Sequence, residues 1–349
     1  MLQAILKLAS TAILCACLSG CYLLQAARGQ MDVMSRRQPI AKLIENPKTP
    51  DKLRGRLEYV AEARDFASRE LGLPENRSYR SYADVERRFV VWNVFVTPRF
   101  SITPLRWCFP IAGCIVYRGY FHEEAAERYA RRMRLGGRDA TVGGVSGYST
   151  LGHFDDPVLN TMMEWGDADL AGTIFHELGH QVLYVKDDSD FNEAFATVIE
   201  DAGLMRWLEH RHDAARLKVW KAARVKSLEF TNLLLATRER LRALYRLKLS
   251  EDEMAARKDA EFGRLKFEYE LLKERWSGYS GYDGWFDRPL GNADLVPIST
   301  YQRCVPGLQR LLDEQGGDLP KFYEAARTLA KESREVRHAK LCAGGDEKE

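Results

Sequence analysis

The stretch TIFHELGHQV, Thr173 to Val182, constrains this chain more than any other. His176 and His180 stand four apart, with Glu177 directly after the first. Residues four apart share a helix face. A helix here therefore aims both imidazoles at one point and sets Glu177 beside it. Two imidazoles so fixed can hold one ion, and the adjacent carboxylate can hold a water and take its proton. Gly179, between the histidines, costs about 1 kcal/mol relative to Ala in a helix. Close packing by another segment explains such a glycine; an isolated helix gains nothing from it.

Catalytic zinc usually takes three protein ligands and leaves a fourth position for water. Twelve residues separate His180 from Glu193 in the downstream SDFNEAFA. That gap suffices for a turn and an antiparallel return, so Glu193 on the facing helix is our third ligand. Ala196, one turn on, is small enough to let the two helices approach. Asp190 and Glu200 are the rivals. His122, His153, His210, His212 and His338 have no ligand spacing and read as surface or hydrogen-bonded residues.

The rest of the chain is largely helical in pattern. Residues 31–88 carry apolar side chains at helical spacing, with Gly72 and Pro74 as punctuation. RRFVVWNVFVTP is β-branched and aromatic, a strand. HEEAAERYARRMRLGG predicts a helix, and DATVGGVSGYSTLG a glycine-rich strand near an edge or a ligand. Gly143, Gly144 and Gly147 would allow a peptide to pair closely with it. Asp155 and Asp156 are placed to orient a histidine or cap a helix. The helix after the histidines is capped by Ser189 or Asp190. Residues 213–276 predict a long helical hairpin, residues 277–297 an aromatic, glycine-rich loop, and 298–315 and 319–337 two closing helices.

MLQAILKLASTAILCACLSGCYLLQ opens the chain. Its apolar stretch is too short for a comfortable membrane span and has the length of a signal-peptide core. Leu18-Ser19-Gly20-Cys21 looks like a bacterial lipobox. We therefore expect a signal peptide over residues 1–20, a lipidated Cys21, and one domain over 21–349 carrying the helical insertion. Tyr22 stands where Asp would mark inner-membrane retention, so the expected place is the outer membrane, facing the periplasm. Cys108, Cys114, Cys304 and Cys342 remain, an even number in an oxidising compartment. Pro110 and Gly113 let the chain bend between the first two, so we pair Cys108 with Cys114 and Cys304 with Cys342. Lys plus Arg number 52 against 50 Asp plus Glu, a net charge of +2, so no long-range field argues for nucleic acid.

HELGH followed by NEAFA resembles the gluzincin metallopeptidases, whose third ligand is a glutamate on the helix after the histidines. The large zinc aminopeptidases carry a similar Asn-Glu-Gly-Phe-Ala, with a longer spacer than here. More closely, the chain resembles a bacterial family of predicted aminopeptidases. The matching blocks are CFPIAGCIVYRGYF, GGVSGYSTLGHFDDPVL, FHELGHQVLYVKDDSDFNEAFAT and NADLVPISTY. The resemblance implies an α+β, mostly helical fold: a zincin-like core, with a small sheet and its edge strand next to the His-Glu-x-x-His helix, plus the hairpin. It implies Zn2+ on His176, His180 and Glu193, Glu177 as general base, and a peptide or protein as substrate. Tyr301, in a block shared with the family, is the first candidate to stabilise the oxyanion, with Tyr282 and Tyr279 next. Aminopeptidase action is the expectation. An endopeptidase, an amidase on peptidoglycan peptides, and a non-catalytic envelope scaffold with a metal site stay open.

Overall fold

A computed structural model describes residues 22–109, 113–147, 149–298 and 303–342. The expected signal peptide, Cys21 and Tyr301 lie outside the described residues. Helix α1 runs over 22–35. It leads into the short strand β1 (Gln38–Pro39) and the helices α2 (Ile40–Glu45) and α3 (Asp51–Arg69). Residues 70–90 are not helical, contrary to the expectation for the segment ending at 88. Gly72 and Tyr79 there take left-handed backbone angles, φ +66° and +62°, which end a right-handed helix. Strand β2 (Ser81–Ala83) pairs with β1 and, further on, with β8 (Val158–Leu159).

The larger sheet is antiparallel. Its centre is β3 (Val91–Pro98), flanked by β6 (Tyr117–Tyr120) and β7 (Arg138–Val145). A hairpin of β4 (Trp107–Phe109) and β5 (Gly113–Ile115) precedes β6. Helix α4 (Glu123–Leu135) covers one face, where Trp92, Val94 and Val96 alternate along β3 against Ala126, Tyr129 and Ala130. Among the described residues the only strand that pairs with β7 is β3; Arg134 donates to the Ala140 carbonyl, and the turn at Asn292–Leu295 packs by Asp139, at its start. Gly143 faces space there, whereas a side chain at Gly144 would collide with the Phe89 ring.

The principal core is built around α5 (Asp167–Val182) and α6 (Ser189–His210). Their contact is close because small residues line it. A Cβ on Gly179 would come 3.1 Å from Ile199 and 3.4 Å from Ala196, and one on Gly172 would come 3.2 Å from Glu200. The hairpin follows as α7 (Ala214–Tyr245) and α8 (Glu251–Arg275), with its own apolar cluster that includes Phe230, Leu241, Leu265 and Tyr269. The chain closes on α9 (Val305–Glu314), α10 (Leu319–Ala330) and α11 (Arg334–Leu341). The single helix expected over 319–337 is two. Ser333 accepts from the Val336 amide and starts α11 afresh.

Disulfides join Cys108 to Cys114 across the β4–β5 hairpin and Cys304 to Cys342 between α9 and the end of α11. The second holds α11 against the start of α6. There Asp188, not Ser189 or Asp190, is the helix cap, accepting from the Phe191 amide. Its other oxygen accepts from Arg337 Nε at 2.7 Å, and His338 Nε2 lies 2.7 Å from Oδ1. All three residues are buried. Asp188→Ala leaves two buried groups without their anion. The expected loss is about 3–5 kcal/mol, read from urea unfolding. Burial opposes ionisation of Asp188, but His338 and Arg337 outweigh it and hold the carboxyl below its ordinary range. Its stabilising contribution is therefore full above the unfolded pKa of about 4 and is lost as pH falls through the lower folded value. Acid unfolding of Asp188→Asn should accordingly be less steep than that of the wild type.

Candidate metal centre

Helix α5 presents His176 and His180 on one face, and α6 returns antiparallel with Glu193 opposite. His176 Nε2 lies 3.3 Å from Glu193 Oε2, and His180 Nε2 lies 3.7 Å from the same oxygen. One donor atom from each of the three residues falls within 4.8 Å of the others. The two rings meet nearly edge to face, with centroids 4.9 Å apart. Asn192, the residue before Glu193, fixes the connection that makes this possible. Its side chain accepts from the Val185 amide at 2.8 Å and donates to the Val185 carbonyl at 2.7 Å. The loop between the helices is thus tied to α6 one residue from the carboxylate that must face the histidines.

Glu200, weighed above as a rival ligand, has another position. Its Oε2 lies 3.0 Å from His176 Nδ1, on the far side of the ring from Glu193. A carboxylate there fixes the tautomer whose Nε2 lone pair faces the other donors. Asp190 is near Arg334 instead, 3.9 Å away, and has no place in the centre.

Electrostatics mark the centre as a place for positive charge. Burial opposes charging of His176, yet hydrogen bonds to Glu193 and Glu200 and the charge of Glu177 hold its pKa well above the ordinary value. Burial likewise opposes ionisation of Glu193, but His180 and His176 pull it down to about 2. His180 Nδ1 is buried without a hydrogen-bond partner. A divalent cation meets the same demand that protons meet here, and two imidazoles with one carboxylate are a fitting donor set for it. Glu177, half-buried beside the ligands, has its carboxyl pushed up by burial against the pull of His176 and His180.

Around the centre stand residues that sequence reasoning did not single out. The Tyr117 hydroxyl on β6 is raised by burial and by the nearby charges of Glu193 and Glu177. Tyr184, just past the end of α5, places its ring 6.4 Å from the His180 imidazole. Tyr79 is buried with a positive φ and lies in the field of Glu177 and Asp156. A left-handed backbone at a bulky side chain is strain of the kind found at functional sites. Tyr79 and Tyr117 lie on segments far from the histidines in sequence, so only their aromatic character was visible. Tyr279 and Tyr282 prove to be packing residues of the hairpin. Tyr282 stacks on Phe230 at 4.1 Å, and the Tyr279 ring lies 4.4 Å from the Lys226 ammonium. Asp156 neither orients a histidine nor caps a helix. It accepts from the Thr150 amide and hydroxyl, at 2.8 Å each, and closes the turn after β7. The Asp155 carbonyl accepts from Arg37.

A mostly helical α+β chain with two imidazoles and a carboxylate converging from facing helices defines a candidate metal-binding protein. Its residues 21–341 match the model of the family described as "Putative aminopeptidase", and the chain belongs to that family. No curated protein and no solved structure matches it significantly.

Proposed function

We propose that the protein is a zinc-dependent peptide hydrolase of the gluzincin type, anchored in the bacterial envelope by lipid on Cys21 and acting as an aminopeptidase. The convergence of His176, His180 and Glu193 on one point, with Glu177 beside it, carries this reading. These three residues would hold the ion. A zinc ion so bound supplies Lewis acidity toward a scissile carbonyl and acidifies water.

The chain's own residues do the rest. Glu177 accepts a proton from the attacking water and returns it to the leaving amine. Its burial, which raises its pKa, suits both halves of that transfer. The later part of β7, beyond the covered Asp139 and Ala140, pairs with no second strand among the described residues and is our candidate to take an extended peptide, with room at Gly143. Tyr117 and Tyr184, both half-buried near Glu193, are hydroxyls available to a developing oxyanion.

Glu200 positions His176 rather than binding the ion. Glu200→Gln should weaken metal binding roughly 10- to 100-fold while leaving a site that still loads at high zinc. Glu193→Ala should abolish loading over the same range. Zinc titration against a chelating indicator separates the two, and the reverse order would make Glu200 the ligand.

The family description supports peptide cleavage, and among the described residues none is assigned to hold an amino terminus. The direct test compares a peptide with its amino-terminally acetylated form. Aminopeptidase action requires that acetylation stop cleavage. Equal cleavage of both forms would favour an endopeptidase on the same zinc chemistry.

A further inference from the structure

The described part of α1, residues 22–35, is fastened to the body at several side chains. The Tyr22 ring packs against Phe109 and Tyr120, with centroids 5.5 and 5.7 Å away. The Arg118 guanidinium lies 4.1 Å from the Tyr22 ring centre. Gln25 bridges the free edge of β6, donating to the Gly119 carbonyl and accepting from the Phe121 amide, each at 3.3 Å. Gly29 lies so close on Phe121 that a Cβ would overlap its ring. Val33 is buried, and Arg37 just beyond the helix donates to the Asp155 carbonyl.

The opposite face of α1 is open and apolar. Leu23, Leu24 and Met31 are 47%, 50% and 61% exposed, and Ala27 and Arg28 are exposed between them. Leu24, Ala27 or Arg28, and Met31 follow helical spacing, so they form one stripe. Beside the stripe opens a cleft of about 740 Å³, lined by Arg28, Arg36 and Arg87 with Asp32 as its carboxylate. Arg36 and Arg87 share Asp32, at 2.9 and 3.4 Å, and Arg36 also reaches Glu86. Among the described residues no carboxylate pairs with Arg28, which leaves the cleft a positive charge for an anion. An apolar stripe with arginine at its border, following the proposed lipid site in sequence, matches the chemistry of an anionic bilayer surface.

We infer that α1 lies in the membrane interface, with Leu23, Leu24 and Met31 at the headgroup–acyl boundary and Arg28 among anionic headgroups. The inference rests on the lipid-anchor reading of Cys21 and deepens it, because the anchor becomes a seat with a fixed orientation.

The test uses the full chain isolated from its membrane and reconstituted in vesicles of phosphatidylethanolamine and phosphatidylglycerol that contain a photoactivatable phospholipid. Mass spectrometry then maps the cross-linked peptides. The expected cross-links lie on residues 23–36 and spare α7 and α8. The Leu24→Glu, Met31→Glu double variant should lose roughly tenfold of them. Leu135→Glu, an equally mild change at an exposed leucine of α4, should lose none. Cross-links confined to the acylated residue, or spread evenly over the surface, overturn the inference while leaving the anchor intact. A chain that carries no acyl group and does not sediment with the vesicles overturns both. A chain without acyl group that still cross-links through 23–36 upholds the seat and removes the anchor. No readout here involves hydrolysis, so the outcome is independent of the zinc chemistry.

Discussion

Glu177→Gln is expected to retain its zinc and lose hydrolysis by roughly a hundred- to ten-thousandfold, the range for a positioned proton transfer. Gln nearly matches the size of Glu and can still touch a water, but it cannot accept a proton. Glu177 stands beside the ligands and not among the three converging donors, so its change leaves the donor set whole. Rates on a peptide substrate, compared at equal metal content, check this. An unchanged rate would assign the proton transfer elsewhere. The same variant separates a hydrolase from a scaffold: only a hydrolase loses its cellular role with Glu177→Gln. It also offers a trap, since uncut peptide can remain in a site that still holds metal.

The second large effect is on stability. Three donors from two facing helices exist together only in the folded chain, so metal binding there adds its free energy to folding. At metal concentrations 100- to 1,000-fold above the dissociation constant the gain is about 3–4 kcal/mol. His180→Ala should lose that increment, and so should Glu193→Ala. Chelated wild type should melt with them, and added zinc should raise the melting temperature of the wild type alone. His180 is the more telling position, because it is buried between the close-packed helices and, among the described residues, its Nδ1 has no carboxylate behind it as His176 has Glu200. Zinc that stabilised His180→Ala as much as the wild type would place the ion elsewhere.

What the sequence displayed and what it hid divide along physical lines. The spacing of His176 and His180, the glycine between them, and the gap to Glu193 are local patterns, and each has a direct counterpart in the packing of α5 on α6. The hairpin over 214–275 was legible from periodicity alone. The role of Glu200 was not, because which carboxylate of α6 meets His176 Nδ1 depends on how the helices cross. The cap at Asp188 was hidden for a similar reason. Its partners Arg337 and His338 lie 149 and 150 residues away, brought back by α11 and the Cys304–Cys342 bond. Local propensity favoured Ser189 or Asp190 equally. Tyr79 and Tyr117 reach the centre from a left-handed turn and from an outer strand, and neither announces its destination in one dimension.

The membrane seat has the same character. In the sequence Leu23 and Leu24 simply follow the expected lipid site, and Met31 opens the segment read as helical. Only the docking of Tyr22, Gln25 and Gly29 shows which face of the helix is spent on the protein and which is left over.

The central claim is that one zinc ion sits where His176, His180 and Glu193 converge. Anomalous scattering at the zinc edge, from crystals of the protein isolated without added metal, tests it most directly. A single peak bonded to those three side chains is expected, with Glu200 behind His176 and Glu177 free of direct contact. No peak there, or a peak bonded to Glu200 in place of Glu193, would contradict it.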